Sequence, residues 1–175
     1  MTKHSNKQNV TKHSSGTAQK QLISLLPEHT SIHIASFVED SGISFYCPYE
    51  KIDFENGFAK FIFSNGDSLL EGTKLCTVID YPVSTEVEFE VELAHCVNDM
   101  IDAICKKYKE IYKEEEETST IKEAPVGMCA SGIYLMNRKR TNGKYGIWGH
   151  VIEDLYLDRL ELDTENKVLI LGVES

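Results

Sequence analysis

The chain has 175 residues, of which 41% are hydrophobic and 26% charged, with only 4 Pro and 11 Gly. That is the composition of one ordinary globular domain, and it excludes a collagen-like or generally disordered chain. The 28 acidic against 18 basic residues give a formal charge of -10, which argues against a general nucleic-acid binder because such proteins need a basic footprint.

The first residues carry the opposite sign. Lys3, Lys7, Lys12 and Lys20 occur with no acid in residues 1–20, so the remaining chain holds 14 basic against 28 acidic groups. Residues 1–18 are almost free of apolar side chains and are expected to form a disordered basic tail; Thr-Lys-His-Ser occurs twice in it, at 2–5 and 11–14, as low-complexity sequence rather than a metal site. The ordered part, 19–175, is expected to be a single domain.

A short helix is predicted from Gln19 to Pro27, on the spacing of Leu22, Leu25 and Leu26. Strands are predicted over Ser31–Val38 and Gly42–Tyr46. In the segment Gly57–Glu71, Asn65-Gly66 separates two apolar runs and predicts a hairpin with a type I′ turn. Lys74–Ile79 supplies another strand. Glu86 to Leu93 alternates strictly, with Val87, Phe89, Val91 and Leu93 on one face and Glu86, Glu88, Glu90 and Glu92 on the other, which is a half-buried strand. From Leu93 the period changes to that of a helix running to about Glu115, with Val97, Met100, Ile101, Ile104, Tyr108, Ile111 and Tyr112 on its apolar stripe and four lysines towards its carboxyl end.

Residues 114–120 read as an exposed acidic connection. Beyond it, strands are predicted over Met128–Met136, Tyr145–Ile152, Leu155–Leu162 and Val168–Val173, with turns at 141–144 and 163–167. Strand-rich sequence with one long helix and no βαβ alternation gives an α+β fold, mostly antiparallel, packed with that helix.

Enzyme signatures are missing: Gly143, Gly146 and Gly149 recur every third residue but form neither a dinucleotide fingerprint nor a P-loop, and there is no GxSxG, HExxH or EF-hand. The five cysteines, Cys47, Cys76, Cys96, Cys105 and Cys129, lack CxxC spacing and read as reduced, mostly buried thiols. With no secretory apolar core in the amino-terminal residues, a cytoplasmic setting is expected. No metal or cofactor is expected.

Three surfaces concentrate chemistry. Arg138, Lys139, Arg140 and Lys144 put positive charge on a predicted turn of an acidic body. Next to them Tyr145, Trp148 and His150, followed by Glu153 and Asp154, form an aromatic and polar cluster suited to a partner hot spot. The glutamate ladder repeats a carboxylate every ~6.6 Å, twice the strand rise, and suits a basic partner.

The expectation is a small protein-binding module of the inhibitor, immunity or adaptor type, with nucleic acid reached only through the basic tail or loop and no membrane. The alternatives are a small hydrolase-like or metal-assisted enzyme using His150 with Asp154 or Glu153, or using His95 and Asp99 on one helix face with Glu92 and Asp102, and a structural subunit of a symmetric assembly such as a viral particle.

Overall fold

The computed structural model describes residues 21–38, 42–122 and 139–175. The basic tail, the predicted strand Met128–Met136, Cys129 and Arg138 lie outside the described residues. Among the described residues, nine strands and one helix follow in chain order: β1 Ile23–Ser24, β2 Ile32–His33, β3 Lys51–Glu55, β4 Phe58–Ile62, β5 Ser68–Leu70, β6 Lys74–Ile79, β7 Val87–Glu92, α1 Val97–Thr118, a 3-10 turn Ile152–Asp154, β8 Tyr156–Asp163 and β9 Val168–Glu174. The fold is α+β, with mostly antiparallel sheets packed against the single helix.

The larger sheet runs β1-β8-β9-β6-β7, with β2 also on β8; among the described strands only β6 and β9 are parallel. Its inner face carries Leu75 and Ile79 of β6, Val91 of β7, Leu157, Leu160 and Leu162 of β8 and Leu169 of β9, all at most 2% exposed. Leu157 and Leu160 are three apart, which alternation cannot place on one face; a bulge between Leu157 and Arg159 absorbs the extra residue. The helix covers this face. Val97, Met100, Ile101, Ile104, Tyr108, Ile111 and Tyr112 are buried along it as its 3.6-residue stripe requires, each large side chain contributing about 1.5–3 kcal/mol.

The smaller sheet is the meander β3-β4-β5. It seats Phe61 and Leu69 in the core and leaves Phe54 and Phe58 exposed at the far end of its first hairpin. Asn56 and Gly57 join β3 to β4 with φ of 53° and 85°, the two left-handed residues of a type I′ turn. The Asn65-Gly66 hairpin is also present, but as a five-residue connection: Gly66 N bonds Phe63 O, Phe63 N bonds Asp67 O, and the Asn65 side chain accepts from Asp67 N. The I′ geometry expected at Asn65-Gly66 belongs to Asn56-Gly57.

Other elements differ from expectation for identifiable reasons. Residues 22–26 are not helical: Ile23 pairs with Leu162, and Leu25 N bonds Leu160 O at 2.8 Å, since a helix this short is marginal in water whereas β8 offers an open ladder. Gly42–Tyr46 is held by Asn98, whose Oδ1 accepts from Phe45 N and whose Nδ2 donates to Ile43 O, both at 2.8 Å. The helix begins at Val97 rather than Leu93, because Leu93 bonds Thr73 and Gly72 as extended chain. It also ends later, at Thr118, so most of the acidic run 114–120 is helix, Glu115 is buried, and the lysines sit mid-helix. Among the described residues, 145–152 forms no ladder strand, with a single bridge residue at Gly149, and the N–H groups of Tyr145 and Gly146 go to the Glu115 carboxylate.

Candidate functional site

The last turns of α1 bring Glu114 and Glu115 against residues 139–147. Glu115 is 0% exposed, and its carboxylate accepts from Thr141 Oγ1 at 2.5 Å, Gly143 N at 2.8 Å, Tyr145 N at 2.7 Å and Gly146 N at 3.0 Å. Burial alone would push the carboxyl up; the Thr141 hydroxyl and the three backbone N–H groups outweigh it and hold the group below the usual glutamate range. A Cβ at position 143 would lie 2.7 Å from both the Glu115 side chain and its backbone oxygen, so only glycine permits this approach. One carboxylate thus supplies the acceptors that a neighbouring strand would otherwise give to Gly143, Tyr145 and Gly146.

Asn142 closes the helix end: its carboxamide oxygen accepts from Ser119 Oγ at 2.9 Å, Ile121 N at 3.0 Å and Thr120 N at 3.1 Å. Glu114 takes Lys144 Nζ at 2.6 Å and Tyr145 Oη at 2.5 Å, so the carboxylate holds Lys144 above the usual lysine range. Of the predicted positive cluster, Lys139 and Arg140 are exposed, Lys144 is ion-paired and Arg138 lies outside the described residues. Tyr145 is 7% exposed; it fills the core beside the loop and presents little contact area.

Trp148 is half-buried, edge-on to Tyr81 with ring centres 5.5 Å apart. His150 Nε2 lies 3.1 Å from Ser175 Oγ, which lies 2.9 Å from Tyr81 Oη, and the His150 carbonyl accepts from Tyr112 Oη at 2.9 Å. A hydroxyl on an imidazole can pass a proton to it. Glu153 and Asp154 stand in the 3-10 turn, and the Glu153 contact is through its backbone oxygen, which accepts from His33 Nε2 at 2.6 Å. His33 Nδ1 meets Ser36 Oγ at 2.5 Å, so both ring nitrogens serve the fold.

The proposed helix face of Glu92, His95, Asp99 and Asp102 does not exist as such. Glu92 ends β7 and His95 precedes the helix. The His95 ring packs among Tyr46, Tyr49 and Phe61 at centroid distances of 5.3, 5.6 and 6.1 Å, and Asp102 pairs with Lys106 at 2.5 Å. Among the described residues no group of three or more His, Cys, Asp or Glu is placed to hold a metal ion. Cys47 and Cys105 are buried, and desolvation pushes each thiol up to about 12, far from a reactive thiolate; Cys76 is exposed on the outer face of the larger sheet.

The glutamate ladder is open. Strand β7 ends the larger sheet, and among the described residues no strand pairs with its outer edge. Glu86, Glu88, Glu90 and Glu92 are exposed, and Lys74 at 2.6 Å from Glu90 neutralises one of them. Below, Val87 and Phe89 are half-buried while Val91 is buried, so the inner face of this edge is only partly covered. At its end a cleft of about 580 Å³ is lined by the acidic residues Glu71, Glu90, Glu92 and Asp99 together with Val91, Leu93, Ala94 and Ala103, with no basic residue in its lining. Glu71 is not expected here from the sequence, and the turn at Gly72 brings it to β7; Asp99 is expected beside Glu92 on one helix face, and it does share this cleft with Glu92, but from a helix that begins only at Val97.

No helix among the described residues is long and apolar enough to cross a membrane. No protein-family model matches the sequence, and comparison with curated proteins and with solved structures returns no match.

Proposed function

We propose that this protein is a binding module of the inhibitor, immunity or adaptor kind, and that it takes an extended basic segment of a protein partner along the outer edge of β7. The observation that carries the reading is the acidic cleft itself: four acidic residues and four apolar ones line it, and it includes residues 90–92 of the edge strand β7. An added strand would present alternate side chains to the two faces of the sheet. Lysine or arginine on one face would meet Glu88, Glu90 and Glu92, and apolar residues on the other would cover Val87 and Phe89. The main-chain bonds would supply affinity, and the alternation specificity.

Fluorescence anisotropy tests this with two labelled peptides of equal composition, one alternating Lys and Val and one with the lysines in a block. The alternating peptide should bind saturably and one to one, more weakly as salt screens the exposed charges, and at least tenfold more weakly to a Glu88→Gln, Glu92→Gln, Asp99→Asn variant. Equal binding of the two peptides would mean attraction by charge alone and would remove the strand-addition reading.

A second reading has the Ser175–His150 contact behind it: an enzyme in which His150 takes the Ser175 proton as that hydroxyl attacks an acyl or phosphoryl ester, and returns the proton to the alcohol that departs as the ester bond breaks. Labelling by a fluorophosphonate probe at Ser175, lost in His150→Ala, would favour it; an unlabelled protein would leave the binding module alone.

A further inference from the structure

Another sheet edge is β3, which ends the smaller sheet. Four of its five residues are exposed, and Phe54 at 73% is the most exposed large apolar side chain described. The two-residue turn at Asn56-Gly57 makes Glu55–Phe58 a bonded pair. The alternation of an antiparallel ladder then makes 53–60 and 51–62 bonded pairs as well, leaving the N–H and C=O of Ile52 and Phe54 pointing off the edge. The Phe54 N–H makes a 3.2 Å bond to the Asp53 carboxylate next to it, which an incoming carbonyl can replace.

The sequence of this edge, Lys51-Ile-Asp-Phe-Glu55, is complementary to itself when run antiparallel about Asp53. Lys51 then faces Glu55 twice, and Ile52 faces Phe54 twice. In that register the Ile52–Phe54 pairs are the bonded ones, so the four outward groups on each copy are all used. Shifting the two-fold axis to residue 52 keeps a Lys51–Asp53 match but bonds only the Ile52 pair and leaves Phe54 opposite Glu50, whose N–H already bonds Ile62 O at 2.8 Å. The patch is also locally neutral: Lys51 lies 3.2 Å from Asp53 and Lys60 2.6 Å from Glu55. On a chain of formal charge -10, it is a place where two of the three charged facings between copies, Lys51 on Glu55 and Glu55 on Lys51, are of opposite sign. The one unfavourable facing, Asp53 on Asp53, lies among Lys51 and Lys60 from each copy.

We propose that two copies of this chain pair through β3 in that register, joining the two meanders into one continuous six-stranded sheet with two-fold symmetry. The surface is separate from β7 and does not depend on the basic-segment reading. The interface is small, so the association is weak and concentration-dependent.

Sedimentation equilibrium of the full chain up to about 1 mM, the range suited to weak complexes, reads the mass directly. A monomer–dimer transition is expected. Lys51→Glu alone sets Glu against Glu, and Glu55→Lys alone sets Lys against Lys, so each variant should weaken the dimer at least tenfold. Mixed one to one, the two variants face each other with opposite charges at both positions and should recover the dimer. Asp53→Asn removes the central repulsion and should tighten it. Circular dichroism of each variant confirms that exposed substitutions leave the fold intact. A wild-type protein that stays monomeric throughout the range, single variants that dimerise as wild type does, or a mixture that stays monomeric would each overturn the proposal.

Discussion

The glutamate ladder of β7 and the segment 139–150 look alike in the sequence, each a run of charge beside apolar residues, yet they are in opposite states. Three of the four ladder carboxylates face solvent without a hydrogen-bonded or ion-paired partner among the described residues, beside an unpaired strand edge. In the loop, Lys144 is held by Glu114, Tyr145 is buried, and three backbone N–H groups and the Thr141 hydroxyl are bonded to Glu115. Charge density in a sequence locates polar clusters; it does not reveal which groups already have partners inside the molecule. The open cluster is the better candidate for an external partner, and the closed one is better understood as part of what holds the fold.

The sharpest way to break that contrast is Glu115→Ala. It leaves buried N–H donors unbonded, each costing about 1–3 kcal/mol, so a loss of about 3–5 kcal/mol is expected in urea unfolding, with altered emission from Trp148 as the segment loosens. Gly143→Ala forces a contact at 2.7 Å against backbone and carboxylate and should cost about 1–3 kcal/mol, the range for overpacking.

Acid probes the same site without mutation. The folded-state group at Glu115 is held below its unfolded value, so its contribution is fully present above the unfolded pKa of about 4.3 and is lost as the pH falls through the lower folded value. A stability profile taken below pH 5 should therefore fall more steeply for wild type than for Glu115→Ala. The smallest effect belongs to the ladder. Glu88→Gln, Glu90→Gln and Glu92→Gln together should leave the unfolding midpoint within about 0.5 kcal/mol of wild type, as exposed substitutions do, since relief of like-charge repulsion offsets the lost Lys74 pair. A ladder variant as unstable as Glu115→Ala would erase the distinction between the two regions.

Where local periodicity governs, the sequence was readable. The alternation from Glu86, the helical stripe from Val97 and the apolar strands around Leu160 and Leu169 all place side chains whose burial follows from their own neighbours in the chain. The failures share a cause. The backbone donors of Tyr145 and Gly146 are taken by Glu115, some thirty residues away, and Gly42–Tyr46 is held by Asn98; a side chain that bonds distant backbone leaves no period to detect. The type I′ turn illustrates the same point: Asn-Gly occurs at 56, 65 and 142, and the three sites adopt different structures because strand length and tertiary partners select among what the dipeptide permits. The acidic cleft was partly legible, through Glu90 and Glu92 of the ladder and through the grouping of Asp99 with Glu92, while Glu71 reaches it only through the fold.

Hydrogen exchange of the full chain with and without the alternating Lys–Val peptide tests the central claim most directly. The account predicts slowed exchange at backbone amides within Val87–Glu92, whose outer edge the peptide would cover, and no change across 139–150. Protection confined to 139–150, or absent from β7 under saturating peptide, would contradict it.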